Sequence, residues 1–210
     1  LRVAYFDGYP RWEYRYLKNL LLREKSITCA AMLVAANRQY TQEGDIQLDG
    51  LPRSPEDWAK FDVIVLGDLP ASLFSREQLE SLRDHVAVRG AGLMWVGGPG
   101  STPGSWRDSA IADLLPFQMS RSESQSTSAG VRAYDEPVLM YPAPAATRLR
   151  LLELGETPAE GWPRMLSDPA TGWSQLRYAQ RIDASILKPT AEVLAVAAPV
   201  SEADETGRAP

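Results

Sequence analysis

Charged side chains and glycines follow three strand-like runs in this sequence. Asp7 comes directly after the apolar run 3–6, and Arg11 stands four residues later. Asp68 follows a second run that is rich in β-branched residues, and a glycine-rich turn follows a third. In an open parallel sheet, ligands bind outside the carboxyl ends of the strands. The sequence therefore predicts one binding site at this edge, for an unidentified small molecule or protein partner. Its candidate residues are Asp7, Arg11, Asp68, Gly97, Gly98 and Ser101.

The charged residues allow two interpretations. In the functional one, Asp7, Asp68 and Arg11 line a pocket that has acidic and basic walls and a floor of glycines. In the structural one, the two aspartates cap helix N-termini and Arg11 forms an ion pair with one of them. The sequence alone leaves both interpretations open.

The glycine-rich turn, residues 97–101, also has two interpretations. Its backbone N–H groups could surround an anion, or the segment could be a tight strand-to-helix turn without a ligand. It does not match the phosphate-binding loop, which ends in Gly-Lys-Ser or Gly-Lys-Thr. It also departs from the dinucleotide-binding fingerprint, because the spacing of Gly98, Gly100 and Gly104 is one residue too long and prolines interrupt it.

Nucleophilic chemistry would depend on a single cysteine and a single histidine. Cys29 lies in the apolar run 27–32, which favours an inert core thiol. His85 flanks the inner face of a predicted helix, which favours packing or surface exposure, and any Ser–His–acid triad would have to use it. Thr102 stands where a nucleophile elbow has serine, which is weak support for a triad. One cysteine excludes an intrachain disulfide, and no metal or cofactor is predicted.

The composition is that of an ordinary globular chain. Of 210 residues, 44% are hydrophobic and 23% are charged, so the chain can bury a sizeable core. The net charge of −5 gives no electrostatic support for a nucleic-acid surface. No apolar run approaches the roughly 18 residues of a membrane span. We expect a single domain over residues 1–198 and a linker-like tail over residues 199–210.

Hydrophobic periodicity predicts an α/β fold with an elaborated C-terminal half. Pro10 suits the first position of one helix, and Ser75 with Gln78 forms a capping box at the start of another. Apolar strands that alternate with helices predict a doubly wound, mainly parallel, flavodoxin-like sheet with helices on both faces. The predicted strands cover residues 3–6, 27–34, 62–67, 93–96 and 191–198.

Side-chain patterns give finer expectations for the helices. In the first helix, an apolar stripe is predicted to face the core, and a polar face is predicted to lie on the other side. The stripe consists of Trp12, Tyr16, Leu17, Leu20 and Leu21, and the polar face of Arg15, Lys18 and Asn19. The aromatic cluster to which these rings belong is predicted to be mostly core, although Tyr9 and Tyr14 could face a ligand or partner. The inner stripe of the later helix consists of Leu79, Leu82 and Val86.

The remaining segments are less regular. Residues 37–58 are polar and interrupted by glycine and proline, which predicts a loop or a small excursion. Residues 120–128 are rich in serine and threonine, which predicts a flexible loop. Further expectations are a short helix that Ser105 opens and that runs to Leu115, a hairpin from residues 131–134 and 137–141, and a short helix over residues 145–154.

One segment carries a family resemblance. The residues F-D-G-Y-P-R-W-E-Y-R-Y-L, positions 6–17, resemble the opening motif of a class I glutamine amidotransferase-like domain. That domain occurs in large bacterial membrane proteins, often beside von Willebrand factor A-like segments. Residues 61–70 and 92–98 are similar to its next two motifs, and residues 187–195 to its closing strand. The resemblance is strong over residues 1–116 and implies a flavodoxin-like fold.

The sequence departs from the catalytic members of that family at the decisive position. Those enzymes have a cysteine at the sharp turn after the fourth strand and a later histidine and glutamate that activate it. Here Gly97 and Gly98 occupy the turn, and no cysteine or histidine follows His85. Hydrolysis of glutamine through a covalent thioester then lacks both nucleophile and base. The resemblance carries over the fold and not the activity.

The sequence therefore predicts a non-catalytic binding or interaction domain. One alternative is a hydrolase that uses an unrecognised site, which a carboxylate–metal site at Asp7 and Asp68 would favour. A second alternative is a receiver-like signalling domain, although its phosphate acceptor would fall at Gly67. The resemblance and the two chain ends predict a larger parent protein that fractionates with membranes, on an unspecified side, while this segment alone is soluble.

Overall fold

The computed structural model describes residues 1–34, 40–101, 103–119, 131–157, 160–168, 170 and 174–202. Thr102 and the predicted loop over residues 120–128 lie outside the described residues. The chain divides into two compact units, Leu1–Leu115 and Pro116–Pro210. The expectation of one domain over residues 1–198 stays a prediction.

The first unit is built on a five-stranded, mostly parallel sheet, so the chain has an α/β fold. The strand order is β3-β2-β1-β4-β5, in which β3 is antiparallel to β2 and all other pairs are parallel. The carboxyl ends of β1 and β4 therefore lie side by side. The strands are β1 (Arg2–Asp7), β2 (Thr28–Val34), β3 (Tyr40–Gly44), β4 (Val63–Leu66) and β5 (Gly92–Trp95).

Helices cover both faces of this sheet. Alternate residues of its buried strands point in opposite directions, so each face has apolar side chains that a helix must cover. Tyr5 packs in one cluster with Tyr14 of the first helix, whereas Phe6 packs in a second cluster with Leu82 of the third. Hydrophobic burial on the two faces fixes the register, because a shift by one residue would exchange the clusters. The helices are α1 (Trp12–Arg23), α2 (Pro55–Trp58) and α3 (Arg76–Ala87).

The start of α3 confirms the predicted capping box. The Ser75 hydroxyl oxygen accepts from the Gln78 backbone N–H at 3.2 Å, and the Gln78 side-chain oxygen accepts from the Ser75 N–H at 2.7 Å. The expected start of α1 at Pro10 is wrong, because Arg11 is its N-cap residue and the helix begins at Trp12. Arg11 has an extended backbone, which holds Pro10 outside the helix.

The polar segment 37–58 is more regular than a loop. It contains β3, which pairs with β2, and the short helix α2, which Ser54 and Asp57 open with a second capping box. A polar sequence can form β3 because that strand lies at the edge of the sheet and pairs on one side only.

The expected inner face of α1 is confirmed for Leu17 and Leu21, which pack in the cluster with Tyr14, and is wrong for the rest of the stripe. Trp12, Tyr16 and Leu20 are exposed, and Lys18 is buried. The Lys18 ammonium lies 2.6 Å from a carboxylate oxygen of Glu43 on β3, which compensates its charge. Because apolar residues occur on every side of α1, periodicity alone could not identify the side that faces the sheet.

The described residues of the second unit form two separate two-stranded antiparallel sheets, and the expected hairpin is wrong. The two strands of the expected hairpin do not pair with each other. Each pairs with a segment from much later in the chain, and no local turn signal marks such pairs. The final strand is shorter than the predicted range of residues 191–198, and it ends one residue later than predicted. The pairs are β6 (Val131–Ala133) with β8 (Gln180–Ile182), and β7 (Val138–Pro142) with β9 (Ala195–Pro199).

Two predicted helices are also shorter than expected. The helix α4 covers only Pro144–Arg148, and it stops before Arg150 and Leu152, which have positive φ angles of 55° and 61°. A left-handed backbone at non-glycine residues is incompatible with continued α-helix. Two 3₁₀ turns, Gly104–Trp106 and Ala112–Leu114, replace the helix that Ser105 was expected to open.

None of the helices in the described part of the chain could cross a membrane.

Candidate functional site

All six candidate residues meet where β1, β4 and β5 end. Asp7 is the last residue of β1, and Asp68 follows β4 by two residues. Arg11 precedes α1, and the glycine-rich turn follows β5. The parallel pairing of the three strands brings these segments together, as the sequence predicted.

Asp7 is fully buried, and its carboxylate joins four neighbouring groups. It accepts hydrogen bonds from the Tyr5 hydroxyl at 2.9 Å, the Gly8 N–H at 2.8 Å and the Asp68 N–H at 3.1 Å. The Arg11 guanidinium Nε lies 3.0 Å from the same carboxylate. Burial raises the pKa of Asp7, whereas the guanidinium and the Tyr5 hydroxyl oppose the rise. Asp7 thus links β1 to β4.

Arg11 connects the Asp7 carboxylate to the end of β5. Its two terminal nitrogens donate to the carbonyl oxygens of Val96, at 2.7 Å, and Gly97, at 2.9 Å. Its side chain is almost fully buried. All three donating nitrogens therefore have protein acceptors, and the residue holds the end of β5 against the end of β1.

Asp68 is the anion that the glycine-rich turn surrounds. Its buried carboxylate accepts from the backbone N–H groups of Gly100 and Ser101, each at 2.7 Å, and from the Tyr9 hydroxyl at 2.9 Å. Burial and the adjacent carboxylate raise the pKa of Tyr9 to about 12. The turn has the anion-binding geometry considered from the sequence, but it binds a side chain of its own chain.

Four glycines allow close packing of the backbone around these two aspartates. A Cβ atom at Gly67 would overlap the Asp7 carboxylate, and one at Gly8 would overlap the Asp68 carbonyl oxygen. A Cβ at Gly98 would lie 2.5 Å from an Asp68 carboxylate oxygen, and one at Gly100 would lie 3.0 Å from it. The glycines are therefore required by the packing of the two aspartates.

These contacts favour the structural interpretation of the charged residues, with one correction. The ion pair between Arg11 and Asp7 is present, as that interpretation predicted. The aspartates do not cap α1, whose N-cap residue Arg11 forms no side-chain capping bond. They accept N–H groups from the strand-end loops instead. A larger side chain at position 98, such as valine, would disturb the fold, because its Cβ would collide with the Asp68 carboxylate.

Sequence reasoning missed several members of this network. The hydroxyls of Tyr5 and Tyr9 and the close approaches of Gly8 and Gly67 were not assigned to the site. Glycine directly beside each strand-end aspartate was the available signal, since Asp7 precedes Gly8 and Gly67 precedes Asp68.

Cys29 and His85 lie on opposite faces of the sheet. Cys29 is fully buried in the cluster that includes Tyr14 of α1, which confirms the expectation of a core thiol. His85 lies on α3, which packs on the other face, and its Nε2 is 2.9 Å from the Phe61 carbonyl oxygen. Each side chain is held in the protein interior, and the sheet separates them.

Burial raises the pKa of the Cys29 thiol to about 11. We therefore expect native protein to react with a disulfide reagent such as DTNB at least 100-fold more slowly than urea-unfolded protein at pH 8, because thiolate is the reactive form and the sulfur is inaccessible. The absorbance change on thiol release measures both rates. Equal rates in the two states would contradict the buried position of the side chain.

In the described part of the chain, no three His, Cys, Asp or Glu side chains are grouped as metal ligands would be. Comparisons with protein-family models, with curated proteins and with solved structures find no match to this chain. The geometry of the site is thus the basis for inferring a function.

Proposed function

We propose that the chain is a non-catalytic, amidotransferase-like binding or interaction domain of a larger bacterial protein. The observation that carries this proposal is the separation of Cys29 from His85 by the sheet. A thiol nucleophile needs a base within hydrogen-bonding distance, and this arrangement does not provide one. The proposal therefore rests on the positions of both groups and not only on the absence of a motif.

The turn after β5 supports the same conclusion. In a catalytic amidotransferase, the resemblance places the nucleophilic cysteine at this turn, where the chain has Gly97 and Gly98. A side chain at position 98 would collide with the Asp68 carboxylate. The turn is thus built around the aspartate and has no space for a nucleophile at that position.

Strand order supports a flavodoxin-like assignment. Without the antiparallel edge strand β3, the parallel strands lie in the order β2-β1-β4-β5, which matches the flavodoxin-type order 2-1-3-4. In that fold, the reversal of strand order lies between the first and third strands, which here are β1 and β4. The Asp7–Asp68 pair lies at this point, so the carboxyl edge remains the proposed location for a small molecule or partner that binds the sheet.

We expect no glutaminase activity from the 210-residue chain. The physical reason is that no thiolate–imidazole pair can form between the two faces of the sheet. Ammonia release from glutamine, measured by a coupled dehydrogenase assay, checks the prediction.

Cys29→Ser is the matched control for that assay, because it removes the only thiol and changes one atom. Ammonia release above background that the Cys29→Ser protein lacks would contradict the proposal. Release at equal rates in both proteins would indicate a contaminating enzyme.

We further propose that the parent protein is associated with the cell envelope. The support for this part is the resemblance of residues 6–17 to the amidotransferase-like domains of bacterial membrane proteins.

A further inference from the structure

The segment that follows α4 contains two residues in the left-handed region of the backbone. Arg150 and Leu152 have φ angles of 55° and 61°, and neither is glycine. A left-handed residue other than glycine is strained, because its Cβ atom approaches the following carbonyl oxygen. Bulky residues such as leucine rarely adopt this conformation. Residues 149–154, which contain both positions, are therefore called the strained turn.

Hydrogen bonds at the end of α4 explain the conformation of Arg150. Its N–H donates to the Thr147 carbonyl oxygen at 3.1 Å, and the Leu151 N–H donates to the Ala146 carbonyl oxygen at 2.8 Å. This pair of bonds is the Schellman motif, which ends a helix and has its left-handed residue at the position of Arg150. Glycine is the common residue there, because it adopts a left-handed backbone without a penalty. The helix α4 thus ends in a motif suited to glycine, at a position that holds arginine.

The local sequence favours a longer helix. Apart from Thr147, the residues at positions 145–154 are alanine, leucine, arginine and glutamate, which are among the best helix formers. Pro144 is the first helical residue, and Gly155 follows position 154, so proline and glycine lie where each is favoured at the ends of a helix. The sequence predicts a helix over residues 145–154, whereas α4 ends at Arg148. Local preference and backbone conformation therefore conflict in the strained turn.

Few contacts stabilise the strained turn. Leu149, Leu151 and Leu154 are 48%, 45% and 59% exposed, so their side chains bury little apolar surface. Within the described part of the chain, the N–H groups of Leu152 and Glu153 have no backbone acceptor. A helix that continued through residue 154 would supply both acceptors, from the carbonyl groups four residues earlier. Helix propensity, relief of strain and hydrogen bonding thus all favour the helical alternative, and the remaining contacts of the turn oppose it.

We propose that residues 149–154 are a conformational switch between the strained turn, which is the major state, and a helical continuation of α4. In the minor state, α4 would extend by about one and a half turns, and Gly155 would replace Arg150 as the left-handed residue that ends the helix. Leu151 and Leu154 would then lie on one helix face. We expect a minor population of about 1–10% that exchanges within microseconds to milliseconds. The inference goes beyond the proposed function and does not depend on it.

Relaxation-dispersion NMR of the isotope-labelled 210-residue chain tests the proposal. The Cα chemical shifts of the major state should be non-helical at Arg150 and Leu152, and dispersion at residues 149–154 should report a minor state with helical Cα shifts. Glycine at either left-handed position relieves the strain of the turn and disfavours the helix. Arg150→Gly and Leu152→Gly should therefore each shift the equilibrium by about tenfold or more towards the turn, and so abolish the dispersion.

Arg150→Ala is the matched control for Arg150→Gly. It removes the same exposed side chain and its ion pair with Glu153. Alanine keeps both the left-handed penalty and a high helix propensity, so the dispersion should persist in this variant. Thermal denaturation gives a second comparison. The Arg150→Gly protein should melt about 2–4 °C above the Arg150→Ala protein, because relief of strain outweighs the flexibility that glycine adds to the unfolded chain.

Absence of dispersion at residues 149–154 in the wild-type chain would overturn the switch, and so would dispersion that persists in both glycine variants. Helical Cα shifts in the major state, with an Arg150→Gly protein that melts below the Arg150→Ala protein, would show that the turn is not the major state and would also overturn it. None of these measurements involves glutamine or ammonia, so this inference and the proposed function can fail independently.

Discussion

Replacement of Arg11 by methionine is expected to destabilise the chain by about 3–5 kcal/mol, because it leaves the Asp7 carboxylate buried without its compensating charge. It also removes the hydrogen bonds to the Val96 and Gly97 carbonyl oxygens. Typical domains have a free energy of unfolding of about 5–15 kcal/mol, so this loss would be a large fraction of the stability. Urea denaturation followed by tryptophan fluorescence measures the change.

Arg15→Met is the matched control for Arg11→Met, because it makes the same substitution at an exposed position on the neighbouring helix. Its effect on the free energy of unfolding should be much smaller. The double variant Asp7→Asn/Arg11→Met should be less destabilised than Arg11→Met alone, since no unpaired charge then remains. Equal effects of Arg11→Met and Arg15→Met would contradict the buried ion pair.

Gly98→Ala is expected to destabilise the chain by about 3 kcal/mol, because the added methyl group would push the Asp68 carboxylate away from its backbone donors. Gly104→Ala is the control, because a Cβ atom there has no atom within 4 Å. That substitution should be neutral or slightly stabilising, by up to about 1 kcal/mol, because it restricts the unfolded chain.

Thermal and urea denaturation of the two alanine variants, measured side by side, compare the positions directly. A Gly98→Ala protein as stable as the Gly104→Ala protein would show that the turn does not need glycine at position 98. The glycine-rich turn around Asp68 would then have space for a side chain. The steric argument that this turn cannot hold a nucleophile would be lost.

The charged edge of the sheet is a structural network. The two aspartates and the side chain of Arg11 are buried, and backbone and tyrosine groups occupy their hydrogen-bonding positions. A ligand at this edge would therefore contact the outer side of the network, such as the partly exposed Tyr9 ring, while the aspartates maintain the positions of the three strand ends.

The sequence by itself determined the elements that depend on local signals. Runs of apolar residues located the parallel strands, and Ser75 with Gln78 marked the start of α3. Parallel topology then placed Asp7 and Asp68 at one edge without any knowledge of their contacts. The core position of Cys29 followed from its apolar neighbours. In each case the physical cause is local, because periodicity, capping and strand ends are properties of short segments.

Only the tertiary structure decided which groups each side chain meets. Apolar side chains occur on every side of α1, so its own sequence does not identify the buried face. Glu43 of β3 allows Lys18 to lie on that face, because its carboxylate compensates the charge of the lysine. Strands β6 and β7 were paired by segments from much later in the chain, which no turn signal announces. The anion of the glycine-rich turn was Asp68, because the alignment of β4 with β5 brings that carboxylate under its N–H groups. These outcomes depend on contacts between residues distant in sequence, and such contacts leave no pattern in either segment alone.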